Sequence, residues 1–532
     1  MSETATPSAG EAGTAVTDLP AELNAAIFFI DRHLEEGRAD KVAVIDDAGS
    51  CTYGELAKRM NRAGNALCAL GLREETRVAM CMLDTVDFPA VFWGGMKAGL
   101  VPIAVNTLLT SDHYDYILRD SRARALIVSE QLLDQFRLIL DAQPALEHVI
   151  VVGDDGHGYP LLKDLTANES DELAPADTRR DDVGFWLYSS GSTGSPKGVK
   201  HLHRNLVATA ELYGKGVLGI REEDTVYSAA KLFFAYGLGN AMTFPFAVGA
   251  TAVYLPGRPT PDAVMEIMNR HQPTIFCGVP TLFAAILGNS DNNPSKGSEK
   301  LRVCISAGEA LPEDIGKRWT ERFGVEILDG IGSTEMLHIF LSNRPGEVRY
   351  GTSGKPVPGY QAKLVDQDGS EVGVDEIGEL LICGPSAAEG YCNQREKSLD
   401  TFMGRWTRTG DKYMVDADGF YHYCGRTDDM FKSGGNWVSP FEVESAIIGH
   451  DKVLEAAVIA HPDDGGNLKP KAYVVLKDDV AADDALRVEL QEFVKKRIET
   501  WKYPRWIEFT DSLPKTATGK IQRFKLREMD QS

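Results

Sequence analysis

Between residues 188 and 199 the chain reads Tyr188-Ser-Ser-Gly-Ser-Thr-Gly-Ser-Pro-Lys-Gly-Val199, with three glycines and five serine or threonine residues around one lysine. Glycine lets backbone N–H groups approach and wrap phosphate oxygens, and the Lys197 ammonium adds charge. This is not a Walker A loop. There the lysine follows glycine and precedes Ser or Thr, whereas Lys197 sits between Pro196 and Gly198. Four further strings carry groups suited to nucleotide chemistry: Asp329-Gly-Ile-Gly-Ser-Thr-Glu335, the pair Thr409-Gly-Asp411 and Gly425-Arg426, and Pro514-Lys-Thr-Ala-Thr-Gly-Lys520. Taken singly, a Thr-Gly-Asp is an ordinary turn and a C-terminal lysine an exposed basic tail.

Groups so far apart in sequence need a frame to gather them. The chain has 532 residues, 43% hydrophobic and 25% charged, the mix of a protein that buries a substantial core. Its formal net charge of −22 argues against broad binding to nucleic acid or anionic membrane, so an anionic ligand has to be met by a few placed cations. Eight cysteines are scattered without a CxxC pair, which suggests neither a zinc cluster nor a disulfide framework and fits a reducing cytoplasm. The first twenty residues lack both a basic and an apolar region and read as a disordered tail, not a secretory signal. No charged residue occurs between Lys231 and Arg258, but Asn240, Pro245 and glycines 237, 239 and 249 interrupt the run. It is expected to be a buried strand-and-loop segment, not a membrane helix.

Amphipathic helical spacing, as at 53–70, alternates with β-branched runs at 77–82, 125–128 and 148–152, the pattern of α/β layers on parallel strands. From near residue 340 the strands shorten and turn signals crowd in, with runs at 362–365, 379–382 and 419–423. After Arg426 come apolar runs at 456–460 and 472–476 and a helix over 484–499. The expected fold class is therefore α/β and α+β. A tail covers 1–20, a large N-terminal domain of layered α/β subdomains plus a β-rich subdomain covers 21–427, and a small mobile α+β domain covers 428–532.

Taken whole, the string 188–199 resembles the phosphate loop of the acyl-adenylate-forming superfamily, which includes acyl-CoA and aryl-CoA synthetases, firefly luciferase and peptide-synthetase adenylation domains. The likeness extends from near residue 40 to Arg523. It implies that Ser190, Gly191, Ser192, Thr193, Gly194 and Lys197 hold the phosphates of ATP, that Thr334 contacts the α-phosphate, and that Glu335 holds Mg²⁺, a hard cation that takes oxygen ligands shared with substrate phosphates. Asp329 and Gly330 belong to the same nucleotide-contacting string. Ile331 departs from the family pattern, since many members carry an aromatic there against adenine. Gly308, Glu309 and Ala310, in Ser306-Ala-Gly-Glu-Ala-Leu-Pro312, resemble the segment that packs against adenine, and Asp411 and Arg426 the pair at the ribose. Lys520 resembles the catalytic lysine that bridges substrate carboxylate and α-phosphate as charge builds, a point charge on a flexible stem that can be withdrawn. The implied reaction has two halves, carboxylate attack on the α-phosphorus giving acyl-adenylate and pyrophosphate, then displacement of AMP by the thiol of CoA. Between them the small domain would swivel about Asp428, bringing Gly434, Gly435 and Trp437 to the pantetheine chain.

Leu232-Phe-Phe-Ala-Tyr-Gly-Leu-Gly-Asn240 resembles the acyl-pocket segment of the family. Amino-acid-activating relatives place an Asp here, and none occurs. Phe233, Phe234 and Tyr236 favour a compact aromatic acyl group, with at least one of the three expected in the core. Ala235, Tyr236 and Gly237 are expected to line the pocket with Gly332, His338 and Ile339, a set that looks like the benzoate-CoA ligases. His338 would bound the ring and not act as a base, because an ionised acid has no proton to remove. The substrates implied are ATP, CoA and a small aromatic acid, with neither nucleic acid nor membrane as partner and both monomer and homodimer open. The alternatives are a 4-hydroxybenzoate, aminobenzoate or short or cyclic acyl-CoA ligase, and a stand-alone enzyme loading a carrier protein.

Overall fold

The computed structural model describes residues 19–189, 196–433, 436–463, 465–477, 480–515 and 521–531. Two large sheets organise the first four hundred residues. The seven-stranded sheet runs Gly390–Tyr391, Lys197–Leu202, Val183–Ser189, Val101–Ala104, Arg77–Cys81, Ala125–Ser129, His148–Val152. Its five strands from Val183–Ser189 onward are parallel, as the helix–strand alternation predicts, and an antiparallel hairpin closes one edge. The nine-stranded sheet has Ile327–Gly332, Val303–Ser306, Ile275–Gly278 and Thr225–Ser228 side by side and parallel.

Local chemistry explains the clearest elements. Thr52 caps Tyr53–Ala69 through a reciprocal capping box with Glu55, satisfying two N–H groups that otherwise have no helical partner. Leu56, Met60, Ala63 and Leu67 then fall on one buried face. The β-rich part is a five-stranded antiparallel sheet in which Gln361–Val365, Gly378–Cys383 and Trp406–Val415 are neighbours and Tyr421–Arg426 pairs with Trp406–Val415. Beyond it, Val453–Pro462, Leu468–Leu476 and Trp506–Phe509 form a three-stranded sheet flanked by helices Pro440–Ile448, Asp484–Lys495 and Arg523–Gln531. This last unit has its own hydrophobic clusters, built from residues between Phe431 and Leu526.

The uncharged run after Lys231 differs from the strand-and-loop expectation. It forms helix Ala235–Leu238, a π-helical stretch Gly239–Thr243 and helix Phe244–Val248 before strand Thr251–Val253. Pro245 occupies the first turn of its helix, where no N–H is needed, and Gly249 ends it in the left-handed region at φ 78°. Pro245 and Gly249, which look like helix breakers in sequence, sit at helix ends, and Asn240 lies within the π-helical stretch. Among the described residues no helix is long and apolar enough to cross a membrane.

Candidate active site

The site gathers at strand ends. Ser189 and Lys197 are paired across the hairpin of Val183–Ser189 and Lys197–Leu202, so the glycine-rich string is the connection between those strands. Ser190, Gly191, Ser192, Thr193 and Gly194 lie outside the described residues. Lys197 Nζ stands 5.0 Å over the Tyr391 ring. Burial lowers its pKa, the Glu335 carboxylate counters this, and nearby Lys397 and Arg426 lower it further. A buried lysine whose charge is further disfavoured by neighbouring cations fits a site that receives a polyanionic ligand such as a triphosphate.

Ile327–Gly332 runs parallel to Val303–Ser306 with Ser306 opposite Asp329, which sets Gly308, Glu309 and Ala310 beside Asp329 and Gly330 at the carboxyl ends of adjacent strands. Ligands of open α/β sheets bind outside such ends. Gly308 takes φ 95° to make that turn. Asp329 is buried, its Oδ1 has no partner among the described residues, and burial pushes its carboxyl well above the usual range. It therefore retains an acceptor that a ligand N–H would satisfy.

The Thr334–Glu335 corner is held from the hairpin. His201 Nε2 lies 2.8 Å from the Thr334 carbonyl oxygen, and Asn205 Nδ2 donates to His201 Nδ1 at 3.1 Å. That second bond leaves the proton on Nε2, which donates to Thr334. Burial lowers the His201 pKa to about 4, keeping the ring neutral. Asn205 also donates to the Ala387 carbonyl at 3.2 Å, and the next N–H, of Ala388, donates to the Glu335 carbonyl at 2.8 Å. The Tyr391 hydroxyl donates to Glu335 Oε1 at 2.8 Å. His201, Asn205 and Tyr391 escape the sequence reading. The one signal they give is their position, His201 and Asn205 shortly after the phosphate string and Tyr391 on the two-residue edge strand that pairs with the strand following it. Among the described residues no cluster of three or more His, Cys, Asp or Glu exists to cage a metal. A single carboxylate beside a threonine fits Mg²⁺, which keeps water and phosphate oxygens as its other ligands.

Asp411 and Arg426 are cross-strand partners joined by an ion pair of 3.0 Å, and Arg426 Nη1 also donates to the Thr409 carbonyl at 3.2 Å. The Asp411 charge is the main cause holding the guanidinium above its ordinary pKa.

The pocket residues expected from the uncharged run converge on His338. Its ring packs among Phe244, Tyr213 and Tyr236 at centroid distances of 4.5, 5.3 and 5.7 Å. Nε2 donates to the Tyr236 carbonyl at 3.3 Å, and Nδ1 has no partner among the described residues. Burial lowers the His338 pKa to about 3, so the imidazole is neutral. A Cβ on Gly239 would lie 2.3 Å from His338 Cδ2, and one on Gly332 would lie 2.5 Å from the His338 carbonyl oxygen. Only glycine permits both contacts. The Tyr236 hydroxyl sits 3.1 Å from the carbonyl oxygens of both Gly278 and Ile305, pinning the ring to two strand ends. Ala235 and Tyr236 are half-buried, and Gly237 and Ile339 buried. Phe233 is the aromatic that goes to the core, at 3% exposure.

In the C-terminal unit, Lys520, Gly434 and Gly435 lie outside the described residues. Trp437 lies in strand Asn436–Val438 opposite Lys432, whose Nζ stands 4.9 Å over the indole. Asp428 is exposed, and its neighbour Asp429 is bound by Arg527 at 2.9 Å and Arg523 at 3.6 Å.

Residues 30–392 match the AMP-binding enzyme family model and residues 442–520 the AMP-binding enzyme C-terminal domain. A benzoate–CoA ligase of Thauera aromatica is 58% identical over 511 residues, 96% of each chain. A solved benzoate CoA ligase from Burkholderia xenovorans LB400 is 51% identical, with a TM-score of 0.89 over 95% of this chain and 100% of that one. A solved anthranilate CoA ligase in complex with anthranoyl-AMP is 44% identical, with a TM-score of 0.94 over 97% and 99%.

Proposed function

The chain belongs to the AMP-binding enzyme family, and on that premise we propose that it activates benzoate, or a small substituted benzoate, with ATP and transfers the acyl group to CoA. The observation that carries the substrate class is the neutral aromatic enclosure around His338, two of whose rings, Tyr236 and Phe244, come from the uncharged run after Lys231, at the same strand ends as Thr334 and Glu335. The run from Leu232 to Gly257 offers no carboxylate for the ammonium of an α-amino acid, and a flat ring finds edges and faces to pack against.

A carboxylate is a poor acyl electrophile because oxide is a poor leaving group. Its oxygen attacks the α-phosphorus of ATP, forming a P–O bond while the bond to pyrophosphate breaks. The CoA thiol then attacks the acyl carbon, loses its proton to water, and expels AMP. Dividing one hard displacement into two easier ones is the logic of nucleophilic catalysis. In the first half Lys197 holds phosphate oxygens, Thr334 meets the α-phosphate, and Lys520 bridges it to the attacking carboxylate, each matching charge as it develops. Asp411 and Arg426 hold the ribose, Asp329, Gly330, Gly308, Glu309 and Ala310 the adenine side. Glu335 would hold Mg²⁺, which neutralises phosphate charge when bound. Gly332, Ala235, Tyr236, Gly237, His338 and Ile339 enclose the ring. In the second half the unit from residue 428 turns about Asp428, and Gly434, Gly435 and Trp437 line the path of pantetheine.

The experiment is AMP release with CoA over a panel of benzoate, hydroxy-, amino- and halobenzoates, cyclohexanecarboxylate, hexanoate and phenylalanine. Benzoate is expected to give the highest kcat/KM, and preference for hexanoate or phenylalanine would overturn the reading. The unpartnered His338 Nδ1 favours hydroxy- or aminobenzoate as the second reading, since a ring donor would satisfy it.

A further inference from the structure

Opposite charges close together tend to collapse into an ion pair, and Lys197 and Glu335 are near enough for the carboxylate to shift the lysine's pKa. Yet among the described residues they form no salt bridge. Between them stands Tyr391, 5% exposed. Its hydroxyl donates to Glu335 Oε1 at 2.8 Å, and its ring face lies 5.0 Å beneath Lys197 Nζ. A phenol offers a donor at its tip and a negative face, which are the two features needed to occupy a carboxylate oxygen and a cation separately.

The ring is placed by its backbone. Strand Gly390–Tyr391 pairs antiparallel with Lys197–Leu202, putting Tyr391 opposite Val199, and Cys392 N–H donates to the Gly198 carbonyl at 2.8 Å. Tyr391 N–H donates to Ser398 Oγ at 3.0 Å, and Phe402 packs on the ring at 5.4 Å. The same strand that carries Lys197 therefore fixes the phenol that aims Glu335. Burial and the Glu335 charge both raise the phenol's pKa. Glu335 Oε2 has no hydrogen-bond partner among the described residues and is left for a cation.

We propose that Tyr391 is a positioning residue for adenylate formation, holding Glu335 by one oxygen and Lys197 by the ring face so that neither neutralises the other before a metal–nucleotide complex arrives. This rests on the nucleotide roles proposed for Lys197 and Glu335. It predicts a separation of effects by the part of the side chain removed. Tyr391→Phe loses the donor and keeps the ring, whereas Tyr391→Leu loses both.

The test measures binding of Mn²⁺ with a non-hydrolysable ATP analogue by electron paramagnetic resonance, alongside benzoate-dependent ATP–pyrophosphate exchange and conversion of supplied benzoyl-AMP with CoA. For Tyr391→Phe the expected result is about tenfold weaker Mn²⁺ binding in the ternary complex, a matching loss of exchange, an unchanged KM for benzoate and an unchanged benzoyl-AMP step. Tyr391→Leu is expected to weaken binding of the analogue without metal as well. Wild-type Mn²⁺ binding in Tyr391→Phe overturns the proposal, and so does equal loss in both half-reactions. If the wild-type protein shows no benzoate-dependent exchange while Tyr391→Phe still weakens Mn²⁺ binding, the acid assignment fails and the role of Tyr391 stands.

Discussion

At the residue scale, most of the proposed chemistry falls on side chains that are ordinary in isolation and specific in company. Lys520 is the sharpest case, a lysine near the chain end given its role by resemblance. Lys520→Ala is expected to lower ATP–pyrophosphate exchange roughly 10²–10³-fold, the scale of losing one transition-state electrostatic group, while supplied benzoyl-AMP still reacts with CoA. Equal loss in both assays would refute its assignment to the first half-reaction. Tyr236 is expected to behave differently. Its hydroxyl meets the Gly278 and Ile305 carbonyls, so Tyr236→Phe should cost about 1 kcal/mol of stability and leave the order of preferred acids unchanged. Thermal unfolding and the acid panel read the two effects independently.

At the element scale, the loop 333–338 is held between a strand and a histidine. Gly332 closes on the His338 backbone, where a Cβ would lie 2.5 Å from a carbonyl oxygen, and His201 with Asn205 holds the Thr334 carbonyl from the neighbouring hairpin. Gly332→Ala should force Ile327–Gly332 and Ile339–Ser342 apart at about 1–3 kcal/mol and abolish adenylation, seen as a lowered Tm together with lost pyrophosphate exchange. This scale also explains what sequence reading could reach. The strands at 77–82, 125–128 and 148–152 are legible because their β-branched runs record burial on both faces. The run after Lys231 is misread as strand and loop because Pro245 and Gly249 punctuate helix ends as readily as they break helices. His201 and Asn205 are illegible for another reason. Their partners, Thr334 and Ala387, lie 133 and 182 residues away, and no local pattern reports a contact of that kind.

At the scale of the whole molecule, four buried histidines shape the pH response. Burial lowers the pKa of His33, His201 and His203 to about 4 and that of His338 to about 3, from an ordinary 6.5. With the folded pKa below the unfolded one, the unfolded chain binds more protons from pH 6.5 down to about 4. Stability therefore falls as pH falls through that window, by up to roughly 1.4 kcal/mol per pH unit for each group. Asp84, like Asp87 and Asp329, has the opposite sign. Burial raises its pKa from 3.8 to about 6, a contribution present at low pH and lost on rising through 6. The four histidines outnumber these three carboxyls, so Tm is expected to drop between pH 6.5 and 4.5, and a flat profile would count against neutral buried imidazoles. The proposed swivel also belongs at this scale. Asp428→Pro, at an exposed position before the Asp429 clamp, should restrict backbone rotation there, sparing pyrophosphate exchange and slowing CoA transfer at least tenfold.

The amino-acid sequence by itself determined which chemistry the chain carries: one lysine among glycines and hydroxyls, a threonine–glutamate pair, an uncharged aromatic run and a net acidity that makes each placed cation count. Composition and spacing are local properties, written in the order of the chain. Only the tertiary structure decided which groups meet. It set Tyr391 between Lys197 and Glu335, turned His338 into a neutral ring among three aromatics, and tied Thr334 to a hairpin through His201. Those arrangements depend on sheet register and on burial, which moves a pKa by removing water, and neither exists until the distant segments have packed.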